Sequence, residues 1–318
     1  METGQSSSNG ESSIAMRCQE LVVKYGQFTA VDNLDLEIRR GECFGLLGPN
    51  GAGKTSTVEV FEGLRKAYSG IVEVLGHRWG GSGDRQLRER LGAALQETQL
   101  MELLTVRETI RLFRSFYKNG REIDDVISIF GLGEKRDARV GKLSGGQRKR
   151  LALACALVGA PDILFLDEPT TGLDPNARQS IWDVVERLTA TGKTVLLTTH
   201  YMDEAARLCD RVGVIDHGRM IALDTPTGLV RMLGAEQVIE LEVQGEFPAE
   251  KVQQIAGVKR IDQRKVSWSL IVNDVSGTLP AVLKALDEDG IQMVSISTHQ
   301  ATLDDVFIYL TGRELRDG

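Results

Sequence analysis

Apolar positions along this chain change their spacing from one segment to the next, and those changes lay out its elements. Residues 16–23 and 34–39 read as strands; in the second, Leu34, Leu36 and Ile38 alternate with Asp35 and Glu37, as a half-buried strand requires. Residues 44–47 form a short continuous apolar run, and a helical pattern opens at Lys54 and continues to about residue 64. Strand patterns at 71–75 and 91–95 enclose a short charged helix around 85–90. Thr105-Val106-Arg107-Glu108 is a capping box, and Val106, Ile110, Phe113 and Tyr117 give the helix after it one apolar face. A second helix, 123–130, stops at Gly131; the two read as a helical insert, about 97–158, outside the sheet. Ser144 heads a further helix with Leu151, Cys155 and Val158 at helical spacing. Residues 163–166 are apolar throughout, the pattern of a parallel strand buried on both faces. Asp174-Pro175 starts a helix through Ile181, Val184, Val185 and Leu188 to Gly192, and 194–199 is another buried strand.

Beyond Leu233 the pattern changes. A strand at 238–243, a helix at 248–255, strands at 258–261 and 266–272 about Arg264-Lys265, a helix at 279–286 and a strand at 291–297 give the order β-α-β-β-α-β, the ferredoxin-like arrangement. A last helix, 303–310, is capped by Thr302 with Asp305, and the chain goes on through Thr311-Gly312-Arg313. The expected organisation is a disordered tail (1–15), an α/β domain (16–234) and an accessory α+β domain (235–318). The accessory domain shows no ligand cluster, and a dimerisation or docking module is the reading that fits it.

Composition narrows the function classes. At 318 residues, with 42% hydrophobic and 26% charged side chains, the chain has the make-up of a globular protein able to bury one large core or two smaller ones. A net charge of −7 with no basic block argues against nucleic acid as a partner. Cys18, Cys43, Cys155 and Cys209 sit in or beside apolar runs without paired spacing, which suits reduced thiols in the cytosol. The Ser- and Gly-rich start contains no apolar segment, so neither a signal peptide nor an anchor is expected there. The longest apolar stretch, 151–166, is broken by Gly159, Pro161 and Asp162 and falls short of the roughly 20 residues that span a bilayer. Work at a membrane would have to go through another chain.

The chemistry concentrates in a few stretches. Gly48-Pro49-Asn50-Gly51-Ala52-Gly53-Lys54-Thr55, with Ser56 next, follows an apolar strand and opens a helix. Its glycines let backbone N–H groups turn inward on a polyphosphate at a helix N-terminus, Lys54 reaches the β/γ-phosphates, and the Thr55 hydroxyl ligates Mg²⁺. Leu143-Ser144-Gly145-Gly146-Gln147 is a second anion-ready helix start, although a plain Ser cap with Gln147 answering it accounts for the same residues. Two such ends in one chain imply a nucleotide gripped from both sides, each side from a different subunit. Asp167 and Glu168 end the apolar strand where a Mg²⁺ shell and an attacking water would lie. Three strand-end residues are open to two readings each: Tyr25 stacks on a base or simply packs, Gln96 ligates Mg²⁺ or closes a turn, and His200 donates to a γ-phosphate or caps its strand.

In this order, from about Met16 to Leu233, the motifs resemble the nucleotide-binding subunit of an ABC transporter. The resemblance implies a phosphate-loop α/β core with an antiparallel β subdomain and a helical insert. It implies adenine stacking for Tyr25, Walker A for Gly48 to Ser56, the Q-loop for Gln96 and the signature for Leu143 to Gln147. Walker B falls on Asp167 and Glu168, the D-loop on Asp174 and the switch on His200. Glu168-Pro169-Thr170-Thr171-Gly172-Leu173-Asp174-Pro175 and the ending Ala301-Thr302-Leu303-Asp304-Asp305-Val306-Phe307 are similar to export ATPases of the daunorubicin-resistance type, a group that includes sodium, nodulation-factor and lipid exporters. What this implies is an ATP- and Mg²⁺-dependent ATPase, paired as a homodimer, peripheral on the cytoplasmic face of the membrane and driving a separately encoded transmembrane permease. The alternatives are an importer subunit, an ABC ATPase of translation or repair, which no second phosphate loop or long heptad array favours, and a binding-only regulatory module, which Glu168 and His200 speak against.

Overall fold

The computed structural model describes residues 13–95, 98–235, 237–264 and 267–312. Gln96, the first twelve residues of the expected tail, Lys265, Val266 and Arg313 lie outside the described residues. The chain divides into two compact units, one up to Ile221 and one from Ala222 onward.

In the first unit β1 (Ile14–Tyr25) pairs antiparallel with β2 (Phe28–Arg39), β3 (Cys43–Leu47) leads into α1 (Lys54–Phe61), and β4 (Ser69–Val74) returns to the other edge of β1. Then come α2 (Asp84–Arg88), β5 (Leu91–Ala94), α3 (Val106–Arg114), α4 (Ile123–Ile129) and α5 (Gly145–Leu157). β6 (Ile163–Asp167), α6 (Pro175–Ala190), β7 (Thr194–Thr198), α7 (Met202–Leu208), β8 (Arg211–Asp216) and β9 (Arg219–Asp224) follow. The main sheet has the order β5-β6-β7-β3-β8-β9, and β5, β6, β7, β3 and β8 are parallel, so their carboxyl ends lie along one edge. Every residue of β3 and β7 is buried, as a parallel strand covered on both faces demands. One core joins the antiparallel sheet to this one: Met16, Leu34 and Ile38 pack with Phe44, Phe61, Phe165 and Leu196.

Among the differences from the sequence reading, three have local reasons. Ile14 and Ala15, expected in the tail, belong to β1: Arg40 N donates to Ser13 O at 2.8 Å, and Ala15 is buried. α1 stops at Phe61 because Gly63 takes a φ of +72°, and a Cβ there would meet the Trp79 indole at 2.6 Å. The third difference is a run of elements that the apolar pattern left unassigned, α7, β8 and β9, where the strands are short and separated only by the turn at His217-Gly218.

The second unit contains α8 (Pro226–Arg231), β10 (Gln237–Gln244), α9 (Ala249–Gln253), β11 (Val258–Gln263), β12 (Trp268–Val272), α10 (Val275–Glu288), β13 (Gln292–Gln300) and α11 (Leu303–Thr311). Its sheet runs β11-β12-β10-β13 with antiparallel neighbours, the ferredoxin-like arrangement the strand and helix order predicts. Ile239, Leu241, Leu270 and Val272 pack with Phe247, Val252, Val282 and Leu286, and Phe247 stacks on Trp268 with centroids 4.7 Å apart. α11 is fastened by Asp305, which caps Thr302 and takes the Arg264 guanidinium at 2.7 Å. α8, which the sequence reading also left unassigned although Thr225-Pro226 starts it, packs against α11.

One buried acid makes stability depend on pH. Glu62, at the end of α1, has an Oε1 without a hydrogen-bond partner, and burial, with Asp167 and Glu59 adding repulsion, pushes its carboxyl up to about 7. Between the ordinary value of 4.5 and about 7 the folded chain therefore holds a proton that the unfolded chain has lost, so this acid's contribution to stability declines as pH rises through that window. Glu62→Gln is expected to leave stability near that of the parent at pH 4.5 and to exceed it at pH 8 by up to about 3 kcal/mol. Urea midpoints for both proteins at the two pH values check this, and a gain that does not vary with pH would rule out ionisation as its origin.

Candidate functional site

β3 delivers the chain to Gly48 at the carboxyl edge of the main sheet. A Cβ at Gly48 would come within 2.3 Å of the Ile215 carbonyl, so only glycine lets the loop leave the strand here. Gly53, at φ +106°, is the cap of α1, and a side chain there would run into the Ala30 carbonyl at 2.5 Å. The Lys54 ammonium donates to the Gly48 carbonyl at 2.6 Å and to Pro49 at 3.1 Å, bending the loop around itself. Burial holds the Lys54 pKa below the ordinary lysine value, while the Glu168 and Asp167 charges push it back up. Thr55 is exposed at the first turn of α1, and Ser56 is buried with its Oγ 3.1 Å from the Tyr25 hydroxyl. Tyr25 thus lies beside the loop, its ring covered on one face by the Arg65 guanidinium at 4.2 Å.

The two carboxylates do not border the loop's own strand: β7 lies between β6 and β3. Asp167 ends β6 opposite Thr198 of β7, and the Thr198 hydroxyl donates to its Oδ1. Glu168 turns the chain with a φ of +46°, a conformation that non-glycine residues rarely adopt and that sites with a positioning task retain. Its N–H donates to the Thr198 carbonyl at 3.0 Å, the Thr171 hydroxyl donates to its Oε2 at 3.0 Å, and His200 Nδ1 lies 3.3 Å from that same oxygen. His200 follows β7 after Thr199, so the strand separating the two motifs also leads to the histidine. Asp174 caps α6, its Oδ1 accepting from Ala177 N at 3.0 Å.

Ser144 starts α5 with a reciprocal capping box: Gln147 N donates to Ser144 Oγ at 3.3 Å, and Ser144 N donates to Gln147 Oε1 at 3.0 Å. A Cβ on Gly146 would be 3.0 Å from Ala177 Cβ, so this helix end approaches α6 at close quarters. Beside it opens a cavity of about 630 Å³ whose lining includes Gly145, Arg148, Lys149, Thr171 and Leu173 and no residue of the phosphate loop. The structure therefore brings Tyr25, the phosphate loop, Asp167, Glu168 and His200 to one edge and places the start of α5 with Thr171, Gly172 and Leu173.

Sequence reasoning missed the residues that hold these groups. Thr198 bonds both Asp167 and Glu168, and Thr171 bonds Glu168; a threonine at a strand end carries no signature until its neighbour strand is known. Glu204 of α7 is fully buried and accepts from Thr170 Oγ1 at 2.9 Å and Trp182 Nε1 at 2.8 Å, tying α7 to α6 and to the loop after Glu168. Burial raises its carboxyl above the usual range.

A family model described as ABC transporter matches residues 31–171, and one described as ATP-binding protein DrrA1-3-like, C-terminal domain, matches residues 230–311. The chain is 38% identical over 307 residues to a daunorubicin resistance ATP-binding protein, DrrA2, of Streptomyces coeruleorubidus, covering 94% of this chain and 95% of that one. It is also 38% identical over 301 residues to a Nod factor export ATP-binding protein I of Ralstonia nicotianae, covering 92% of each chain. Among solved structures, cbiO1 from Clostridium perfringens, described as part of the ABC transporter complex cbiONQ, matches with a TM-score of 0.63 at 29% identity, over 70% of this chain and 95% of that one. An ATP-binding subunit of an ABC transporter matches with a TM-score of 0.63 at 26% identity, over 69% and 93% respectively.

Proposed function

This chain belongs to the ABC transporter ATP-binding family, with a DrrA-like C-terminal domain, and from that premise we propose that it is the ATP-hydrolysing subunit of an exporter of a drug, lipid or related amphiphile. The relatives named for daunorubicin resistance and for Nod factor export support the direction of transport. The observation that carries the enzymatic reading is the Glu168 carboxylate, held by Thr171 and His200 at the strand edge that also carries the phosphate loop.

Each residue has a task in this reading. Backbone N–H groups of Gly51 to Thr55 and the Lys54 ammonium hold the ATP phosphates, Tyr25 lies against the base, and Glu168 orients the lytic water. His200, within reach of Glu168, takes the γ-phosphate side. The Thr55 hydroxyl and the Asp167 carboxylate are hard oxygen donors suited to Mg²⁺, which would supply charge neutralisation at the phosphates; Gln96 is the third expected ligand. The cavity that Gly145, at the start of α5, shares with Thr171, Gly172 and Leu173, but not with the phosphate loop, supports a nucleotide completed by the Ser144, Gly145, Gly146 and Gln147 end of a second copy. Closing such a pair excludes water from the phosphates and reopening follows hydrolysis, so the work cycle is one of dimer closure.

No described helix is long and apolar enough to cross a membrane. The reading therefore places the substrate path in a separately encoded permease, with this chain peripheral on the cytoplasmic face. Contact would run through the segment from Gln96 to Thr105, where Met101 and Leu103 expose apolar side chains. A pull-down of the tagged chain from native membranes in mild detergent tests this. A multi-span partner is expected; recovery with ribosomes or DNA ends and no membrane protein would remove the transport assignment.

A further inference from the structure

The two edges of the second unit's sheet are built differently. β11, on one edge, is six residues long and carries Lys259, Arg260 and Asp262, the charges with which sheets discourage pairing along an open edge. β13, on the other, is nine residues long and contains no Asp, Glu, Lys or Arg and no proline, and its His299 lies 3.2 Å from Asp305 of α11. Its inner side pairs with β10 from Gln237↔Gln300 to Gln244↔Gln292, and among the described residues no strand lies on its outer side. Eight of its nine residues are exposed.

The apolar layer is also unsealed there. Ile296 lies opposite buried Leu241, and Met293 opposite Val243, so both stand on the face that α10 covers. Yet Met293, Val294 and Ile296 are 38%, 52% and 36% exposed, as is Leu283 of α10 at 36%. Past residue 237 these are all of the large apolar side chains that the described residues expose. The ladder to β10 shifts between Ser295 and Met293, which leaves 295–300 as the regular stretch that a new strand would meet.

We infer that β13 pairs antiparallel with β13 of a second copy of this chain, joining two four-stranded sheets across a two-fold axis and covering the apolar side chains left open at this edge. Self-pairing about a two-fold sets each residue type against its own strand's types, so a strand with charges would oppose like to like; Ser295, Ile296, Ser297 and Thr298 meet without that cost. The choice of a second copy over a foreign strand rests on the dimer proposed above, which keeps a copy close by. The pairing would hold the two ATPase subunits together through the open part of the cycle, when the nucleotide half-sites are apart.

All four cysteines, Cys18, Cys43, Cys155 and Cys209, are buried, so a single introduced thiol reports alone. Ser295→Cys, Ile296→Cys, Ser297→Cys and Thr298→Cys in the full chain, oxidised without nucleotide, are expected to give a disulfide-linked dimer. The yield should peak at the position on the axis, about tenfold or more above a Lys259→Cys control on β11. Ile296→Lys added to the best of the other three should abolish the link. No yield above the control at any position would overturn the inference, as would a mixed disulfide with the permease in native membranes, which would assign the edge to that partner. ATP-dependent dimerisation of a Glu168→Gln chain that also carries Ile296→Lys to block β13 pairing, measured separately by light scattering, tells the two proposals apart. Its presence with no β13 link sinks the inference alone, and a β13 link with no ATP-dependent dimer upholds the inference while removing the paired half-sites.

Discussion

Glu168→Gln is expected to bind ATP as the parent does and to turn it over roughly 10²-fold or more slowly. The amide keeps the shape of the carboxylate, and its Oε1 can still accept from the Thr171 hydroxyl, which now donates at 3.0 Å. The positive φ of +46° and the backbone bond to Thr198 belong to the main chain and are untouched. What the substitution removes is a negative oxygen able to draw a proton from water and to attract His200, 3.3 Å away. The loss should therefore fall on the rate constant of hydrolysis and leave nucleotide affinity in place. A secondary consequence follows from the proposed cycle: with closure intact and hydrolysis slowed, the variant should elute as a dimer in ATP and as the parent's species in ADP. Steady-state phosphate release together with titration calorimetry checks both halves, and hydrolysis at the parental rate would falsify the role given to Glu168.

The contrast between this residue and its supports shows what a sequence reveals of such a site. The phosphate loop, the Asp167-Glu168 pair and His200 were legible because each sits at the end of an apolar run, and a parallel strand must put its carboxyl end where ligands bind. Their neighbour relations were not. That β7 lies between the strand of Asp167 and the strand of the phosphate loop was not legible, because strand order depends on long-range pairing that local periodicity does not encode. With β7 in place, Thr198 becomes the residue that fixes the Asp167 carboxylate and the Glu168 backbone, and nothing near it in sequence points that way. Glu204 illustrates the same limit: an acid in the first turn of a helix reads as a surface charge favoured by the helix dipole, and only the fold shows it buried between Thr170 and Trp182. The accessory unit was more readable, since its β-α-β-β-α-β order follows from alternation within each strand. The exposed edge at β13 appeared only once the sheet order placed that strand outermost.

Lys54→Ala should fail in a different way, and the difference separates binding from chemistry. The Lys54 ammonium is buried, 8% exposed, and its pKa sits below the ordinary lysine value because burial outweighs the attraction of Glu168 and Asp167. A cation so placed is already desolvated, so phosphate oxygens arriving in the loop gain its field without first stripping it of water. Alanine withdraws that charge, and it also frees the Gly48 and Pro49 carbonyls that Nζ holds at 2.6 and 3.1 Å, relaxing the loop that aims the backbone N–H groups. In the proposed cycle both ground-state binding and transition-state stabilisation depend on the ammonium, so ATP affinity and turnover should fall together, with kcat/KM lower by about 10²- to 10³-fold. Lys54→Arg is not expected to restore it: a planar guanidinium on a longer stem cannot occupy the position of a compact ammonium lodged between two carbonyls of its own loop. Nucleotide titration and steady-state kinetics on the alanine and arginine variants, set beside Glu168→Gln, check the assignment. If Lys54→Ala bound ATP with parental affinity and lost only turnover, Lys54 would act on the reaction alone and the phosphate-holding role would pass to the backbone of the loop.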